Sequence, residues 1–466
     1  MAAADVGVEV LEDAYDAGAL RARAVRRDRH PVHLEVAVEG ARQVGHHHHR
    51  AAEDADDQQV VALVVLLDLA GHLLEPREDL LLGEQDVDQV TVDVCCVHGV
   101  QPATGDAGKS RRPPGVEADM QLSVLDLVPV RSDQTTGDAL AATRSLAKVA
   151  EEHGYHRYWL AEHHNMPAVA ATNPPLLISM VAGATSRIRV GSGGVMLPNH
   201  APLVVAEQFA LLEAAYPGRI DLGIGRAPGS DPVTSWALRH GGGGVEDDAV
   251  SRFPEYVDNV ISMMSPGGVG LQVGGRTHAL TATPAATSVP PVWLLGSSDY
   301  SARLAASRGL PYVFAHHFSG QGTAEALALY RSGFQPSETN PSPRTFLTVN
   351  VVVAETQEEA ERLALPQLQA MVALRTGQPL RPQRLVEEAE KEPVPAEHQG
   401  LIEAMSSRWV IGTPPSAASR IEELAASYDV DEVMVHPVAG SYLGTPTDSS
   451  PAREQTLSLL AGAIHG

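Results

Sequence analysis

The segment Gly154-Tyr155-His156-Arg157-Tyr158-Trp159-Leu160-Ala161-Glu162-His163-His164-Asn165 decides the fold. Its aromatic and apolar residues predict a strand over Tyr155–Ala161 that runs out into a burst of charge and imidazole. Gly154 ends the preceding helical pattern (Leu140, Leu146, Val149, Ala150) as a left-handed cap. Before that helix stands the apolar run Leu122–Val128, so the local grammar is strand, helix, strand.

Outward from there the unit repeats. Helix Pro174–Ala184 precedes strand Ile188–Met196, and helix Pro202–Ala215 precedes strand Ile220–Ile224. A glycine-rich excursion (Gly241–Gly244) and a helix near Tyr256–Met264 lead to strand Val292–Leu295. Helix Tyr300–Arg308, strand Tyr312–Phe314, helix Ala324–Arg331, strand Thr345–Val353 and helix Glu358–Ala373 follow. Helix Ser416–Tyr428, strand Glu432–Val435 and a closing helix over Ser450–Ile464 complete the pattern. Strands separated by helices pair in parallel, because no hairpin can join them. Eight such units predict an α/β fold, a (β/α)8 TIM barrel. An open doubly wound sheet would want a glycine-rich phosphate turn after the first strand, where this chain has Pro129-Val130-Arg131.

Composition divides the 466 residues near Met120. Residues 1–119 contain no Ile, Phe, Trp or Asn, one Tyr (Tyr15) and one Lys (Lys109). A folded domain of that size uses aromatics and Ile to fill its core. The missing types are largely those with AT-rich codons, the pattern of a GC-rich gene read upstream of its start. Met120 is therefore expected to be the biological start, with residues 1–119 a low-aromatic extension rather than a folded domain and residues 120–466 the barrel. Short runs such as Val60–Leu67 and Val90–Val97 could form isolated strands.

The whole chain carries 58 acidic and 34 basic residues, net −24, which argues against a nucleic-acid partner needing clustered Lys and Arg. Two adjacent cysteines, Cys95 and Cys96, exclude a disulfide-stapled secreted scaffold. No apolar run approaches the ~18 residues of a membrane span. Acids stand where a signal peptide would be basic, so a cytoplasmic location is expected. Neither Cys95–Cys96 nor the run His46–His49 has zinc-site spacing, and no metal is expected.

In a barrel of this kind the active site forms at the C-terminal strand ends. Strand two ends in Glu162-His163-His164, strand six in His316-His317-Phe318 and strand eight in His436-Pro437. Five of the twelve histidines in residues 120–466 thus fall on one rim, a grouping suited to proton transfer or to stabilising developing charge. Strand one offers Asp126 but no histidine pair for a barrel metallohydrolase, and residues 120–466 contain neither cysteine nor a G-x-S-x-G elbow. Glycines cluster at Gly191-Ser192-Gly193-Gly194 and at Gly223-Ile224-Gly225-Arg226, where a flat ligand could approach the backbone. Gly296-Ser297-Ser298-Asp299-Tyr300-Ser301 runs directly into a helix: either a plain N-cap or, with Arg226 on a neighbouring strand end, a phosphate seat.

These blocks resemble the bacterial-luciferase-like flavin monooxygenase family. The resemblance is carried by Tyr158–His164, Gly191–Pro198, Gly218-Arg219-Ile220 with Gly223–Arg226, Trp293–Ser298 and Gly309-Leu310-Pro311. It runs through most of residues 121–466 and leaves residues 1–119 outside. It implies a TIM barrel that binds reduced FMN, or in some branches a deazaflavin, at the strand ends. On this basis His163 would assist the flavin–oxygen chemistry as base or hydrogen-bond donor, with Glu162 and His164 orienting it or staying structural. Gly193 and Gly194 would lie under the isoalloxazine, joined by a cis peptide often found there. Arg226, Ser297, Ser298 and Ser301 would hold the phosphate at the Gly296 turn. Gly225 stands where a luciferase has a reactive cysteine, a departure compatible with flavin binding. The resemblance further implies molecular oxygen and a small aldehyde-like substrate, a separate flavin reductase, and a homodimer. A deazaflavin-dependent dehydrogenase and a non-catalytic flavin-binding protein are the alternatives. The excursion Pro228–Pro290 and the acidic segment Glu387–His398 are candidate lids or plain solvent-exposed insertions.

Overall fold

The computed structural model of the chain describes residues 120–227, 232–239, 249–318 and 320–466, together with four short strands nearer the N-terminus. Those strands, Val8–Val10, Ala19–Val25, His33–Val38 and Gln89–Cys95, lie in the unit Met1–Pro114. They form one sheet in the order first, third, second, fourth. His46–His49, Val60–Leu67, Cys96 and Gly241–Gly244 lie outside the described residues.

The unit Gly115–Gly466 is built on eight parallel strands. They are β1 (Gln121–Asp126), β2 (Arg157–Leu160), β3 (Arg189–Ser192), β4 (Ile220–Gly225), β5 (Val292–Gly296), β6 (Tyr312–Phe314), β7 (Thr345–Val353) and β8 (Glu432–Pro437). Each pairs with the next, and β8 pairs back onto β1, so the sheet closes as a (β/α)8 barrel. The expected strand Ile188–Met196 is two pieces, β3 and Val195–Met196, separated at Gly193-Gly194. Elements not legible in the sequence include the exposed hairpin Val269–Val273/Arg276–Leu280, strand Val410–Gly412 beside β7, and helices Pro232–Leu238, Val386–Lys391 and Gln399–Ser406.

Local chemistry explains the helix ends. The helix Thr136–Glu152 begins on a reciprocal capping box between Thr135 and Asp138, and Gly154 beyond its end has φ +77°. Inside the barrel, the period-two alternation of the strands stacks side chains in layers. The lowest layer is polar: Arg157 binds Glu432 through two bonds (2.6 and 3.0 Å) and Asp221 at 2.8 Å, while Ser123 donates to Glu432. Above it lies an apolar layer of Leu125, Trp159, Trp293, Val313, Phe346 and Met434, with Arg157 and Arg344 facing the Trp293 ring at 5.0 and 5.1 Å. Asp126, the acid that strand one offered, is consumed structurally by Val128, Arg453, Thr143 and Tyr158.

A satellite core covers one side of the barrel, and Val386 and Ala389 are buried by helix Val386–Lys391. The acidic segment Glu387–His398 is therefore not an open loop: it contains most of that helix and a 3-10 turn, Ala396–His398. Among the described residues, no helix is long and apolar enough to cross a membrane.

Candidate active site

The C-terminal rim carries two polar groupings back to back. The first is a set of imidazoles. His317 follows β6 and His436 lies in β8, with ring centroids 6.1 Å apart, and His163 follows β2. Hydrogen bonding fixes the tautomers of the first two. Asn350 in β7 donates through Nδ2 to the His317 carbonyl (2.7 Å), so its Oδ1 must face His436 Nδ1 at 2.8 Å, and that nitrogen carries the proton. Thr348 donates to the Phe314 carbonyl, which leaves its oxygen to accept from His317 Nδ1 at 2.9 Å. Both rings therefore present an unprotonated Nε2. Burial, reinforced by the neighbouring His163 and His316, pushes His317 down to about 4. Burial and the adjacent His317 and Arg453 hold His436 well below the usual imidazole range, and burial likewise lowers His163 against the pull of Glu162. The set is neutral at pH 7. His163 Nδ1 is buried with no hydrogen-bond partner among the described residues.

The second grouping centres on Glu162. Its Oε1 accepts from His164 Nε2 (2.8 Å) and His200 Nε2 (2.6 Å), and its Oε2 accepts from the Met196 amide (2.9 Å). Burial alone would raise this carboxyl, but the bonds from His164 and His200 outweigh it and bring it down to about 2. Glu162 and His164 thus tie β2 to the segment after β3, while the intervening His163 turns to the other grouping. The ligating atoms of Glu162, His164 and His200 lie within 4.8 Å of one another, a donor set that could take an ion. At 2.6–2.8 Å they are closed on each other by hydrogen bonds, and a tetrahedral ion would require them to spread. His200 was not singled out in the sequence.

The glycines sit where backbones nearly touch. A Cβ on Gly194 would stand 2.9 Å from the carbonyl carbon and oxygen of Gly223, and one on Gly223 would stand 2.1 Å from the Ser192 carbonyl oxygen. The Gly193–Gly194 peptide is cis, and the Gly193 amide donates to the Leu160 carbonyl at the end of β2. Among the described residues, a Cβ at Gly225 would meet nothing nearer than 3.9 Å, so they leave the end of β4 open.

Beyond β5, Ser298 occupies the N-cap position of helix Asp299–Arg308, and its hydroxyl makes no capping bond. Ser301 is buried, its side chain crowding the Cβ position of Gly296, while Ser297 and Ser298 are exposed. Arg226 lies over the Tyr300 ring at 4.1 Å, which brings the end of β4 to this helix N-terminus. Asp299 in the first turn is paired with Arg303. Hydroxyls, helix amides and a guanidinium therefore meet at one point, an arrangement that can bind a phosphate group. The uncapped serine goes against the plain N-cap. A phosphorylated planar cofactor fits these residues: an orphaned imidazole nitrogen, an open glycine strand end and an anion seat occur on the same rim.

Known proteins resemble this chain along most of the barrel. The profile described as luciferase-like monooxygenase matches residues 120–430. A protein of Escherichia coli (strain K12) described as a luciferase-like monooxygenase is 40% identical over 322 residues, 68% of this chain and 90% of its own. The N-acetyl-S-alkylcysteine monooxygenase of Bacillus subtilis (strain 168) is 32% identical over 351 residues, 74% of this chain and 98% of its own. Among solved structures, apo-MsnO8 superposes with a TM-score of 0.64 at 32% identity, covering 74% of this chain and 98% of that one.

Proposed function

The chain belongs to the luciferase-like monooxygenase family, and on that premise we propose that it takes reduced FMN from a separate flavin reductase and uses molecular oxygen to oxidise a small organic substrate. The observation that carries this reading is the buried Nδ1 of His163, without a hydrogen-bond partner among the described residues, on a rim of neutral imidazoles. A buried polar atom with no partner is costly, and a ligand bound there would relieve it.

Bound reduced flavin would supply the two electrons with which one oxygen atom enters the substrate and the other leaves as water. The remaining work falls to this chain. Arg226, Ser297, Ser298, Ser301 and the helix amides anchor the phosphate. Gly193 and Gly194 let the ring lie against the backbone. His163 holds or accepts a proton beside the ring, and its depressed basicity keeps it neutral and so able to accept one. Glu162 and His164, locked with His200, hold the β2 end that presents His163. FMN is favoured over a deazaflavin because a reduced deazaflavin is a hydride donor, whereas a monooxygenase needs a flavin that reacts with oxygen.

The test is oxygen uptake by the full chain with FMN, NADH and a flavin reductase, screened over aldehydes and thioethers, the latter including N-acetyl-S-alkylcysteines. Substrate-dependent uptake with one labelled oxygen atom in the product is expected. Turnover with reduced deazaflavin and no oxygen consumption would replace this reading with hydride transfer. No turnover with either, by a chain that binds flavin, would leave a flavin-binding protein.

A further inference from the structure

We propose that Glu162, His164 and His200 form a binding site for a divalent transition-metal ion of the zinc class, on the rim beside His163. The site stands apart from the monooxygenase reading and goes beyond it.

The donors are those such an ion selects: two imidazole nitrogens and one carboxylate oxygen, all within 4.8 Å of one another. Glu162 and His164 stand two apart in the segment that leaves β2, and both turn away from the side His163 takes. His200 comes from another part of the chain, at the end of the 3-10 turn Leu197–Asn199. Ligands from two separate segments therefore converge on one oxygen, Glu162 Oε1.

The surroundings suit a cation. Glu162 Oε2 accepts from the Met196 amide at 2.9 Å, an outer contact that orients the carboxylate and leaves Oε1 to the imidazoles. Among the described residues, Glu162 pairs with no Arg or Lys, so no fixed charge already fills the place. The carboxylate is fully buried, while the His164 and His200 side chains are 17% and 29% exposed. An ion would enter from their side and keep a position open to water.

The adjustment required is small. The two Nε2–Oε1 separations are 2.8 and 2.6 Å. Ligands of a tetrahedral zinc ion, each ~2.0–2.2 Å from the metal, stand about 3.3–3.5 Å apart. Each imidazole must withdraw by about 0.5–0.9 Å and move its Nε2 proton to Nδ1 or to water, which frees the lone pair that binds the metal. The hydrogen-bonded latch between β2 and the segment after β3 then becomes a coordinated one.

The experiment is calorimetric titration of the full chain, without flavin, by Zn²⁺ and separately by Mg²⁺ at pH 7. The parent protein carries His46→Gln, His47→Gln, His48→Gln, His49→Gln, Cys95→Ser and Cys96→Ser, which removes the other imidazole and thiol clusters in the sequence. One zinc ion per chain is expected to bind, and Mg²⁺, which prefers all-oxygen sites, is not. His164→Ala or His200→Ala should weaken zinc binding by at least about 100-fold. His200→Cys should retain it, because a thiolate is also a zinc ligand; this rescue separates loss of a ligand from loss of the fold. Co²⁺ in place of zinc should give the visible absorption of a four- or five-coordinate ion, absent in His200→Ala. No zinc binding by the folded parent, or equal binding by the parent and both alanine variants, would overturn the site and leave a hydrogen-bonded latch. Because no flavin or oxygen is present, that failure leaves the monooxygenase reading standing, and absence of oxygen uptake leaves the metal site standing.

Discussion

Asn350 Oδ1 lies 2.8 Å from His436 Nδ1 while its Nδ2 donates to the His317 carbonyl at 2.7 Å, so one amide in β7 fixes a ring on β8 and the backbone after β6. Asn350→Leu leaves a buried imidazole N–H and a carbonyl unpaired together. We expect a stability loss of about 1–3 kcal/mol in urea melts. A variant within about 0.5 kcal/mol of wild type would mean that this bridge is not holding the rim.

Burial and neighbouring positive charge push His316 and His317 down to about 4, against 6.5 for a free imidazole. Between those values the unfolded chain binds more protons than the folded one. Stability therefore rises with pH across that window, is fully present above 6.5, and is lost on acidification toward 4. Glu162, about 2 against 4.5, loses its contribution only in the lower window from 4.5 to 2. Melting temperature should thus begin to fall below pH 6.5. His317→Asn keeps a donor toward Thr348 but cannot titrate, and should flatten the slope by about one proton per molecule. An unaltered slope would show His317 titrating as a free imidazole.

Glycine substitutions separate packing from ligand space. Gly223→Ala drives a methyl into the Ser192 carbonyl, whereas Gly225→Ala meets nothing nearer than 3.9 Å among the described residues. The first should cost at least about 1–3 kcal/mol or prevent folding. The second should fold like wild type yet weaken flavin binding, because its methyl enters the open end of β4. Thermal melts paired with flavin titration check both, and full flavin affinity in Gly225→Ala would move the ring away from that strand end.

His163→Ala removes the partnerless imidazole. If that ring moves a proton, turnover at saturating flavin should drop by about 10²–10⁴. Intact turnover would take His163 out of the chemistry.

The sequence was most informative where residue patterning repeats. The eight strands were legible because apolar runs alternate with helix-period segments, and their predicted bounds differ from the observed ones by a few residues at most outside the divided strand Ile188–Met196. The rim histidines were legible because strand ends in a barrel share one face. Asn350 was not, since it lies within the apolar run Thr345–Val353, although the polar pair Thr348 and Asn350 at a spacing of two was the available signal. His200 escaped because its link to Glu162 spans 38 positions and forms only when Val195–Met196 bends back onto β4.

Arg226→Ala should weaken cofactor binding by about 1.5–3 kcal/mol, the loss of one charge-assisted phosphate contact. Unchanged FMN affinity would remove Arg226 from the anion seat.

The most direct test of the account is an anaerobic equilibrium titration of the full chain with reduced FMN and, separately, with reduced deazaflavin. Tighter binding of reduced FMN is the predicted result. Preference for the deazaflavin, or binding of neither by a folded chain, would contradict it.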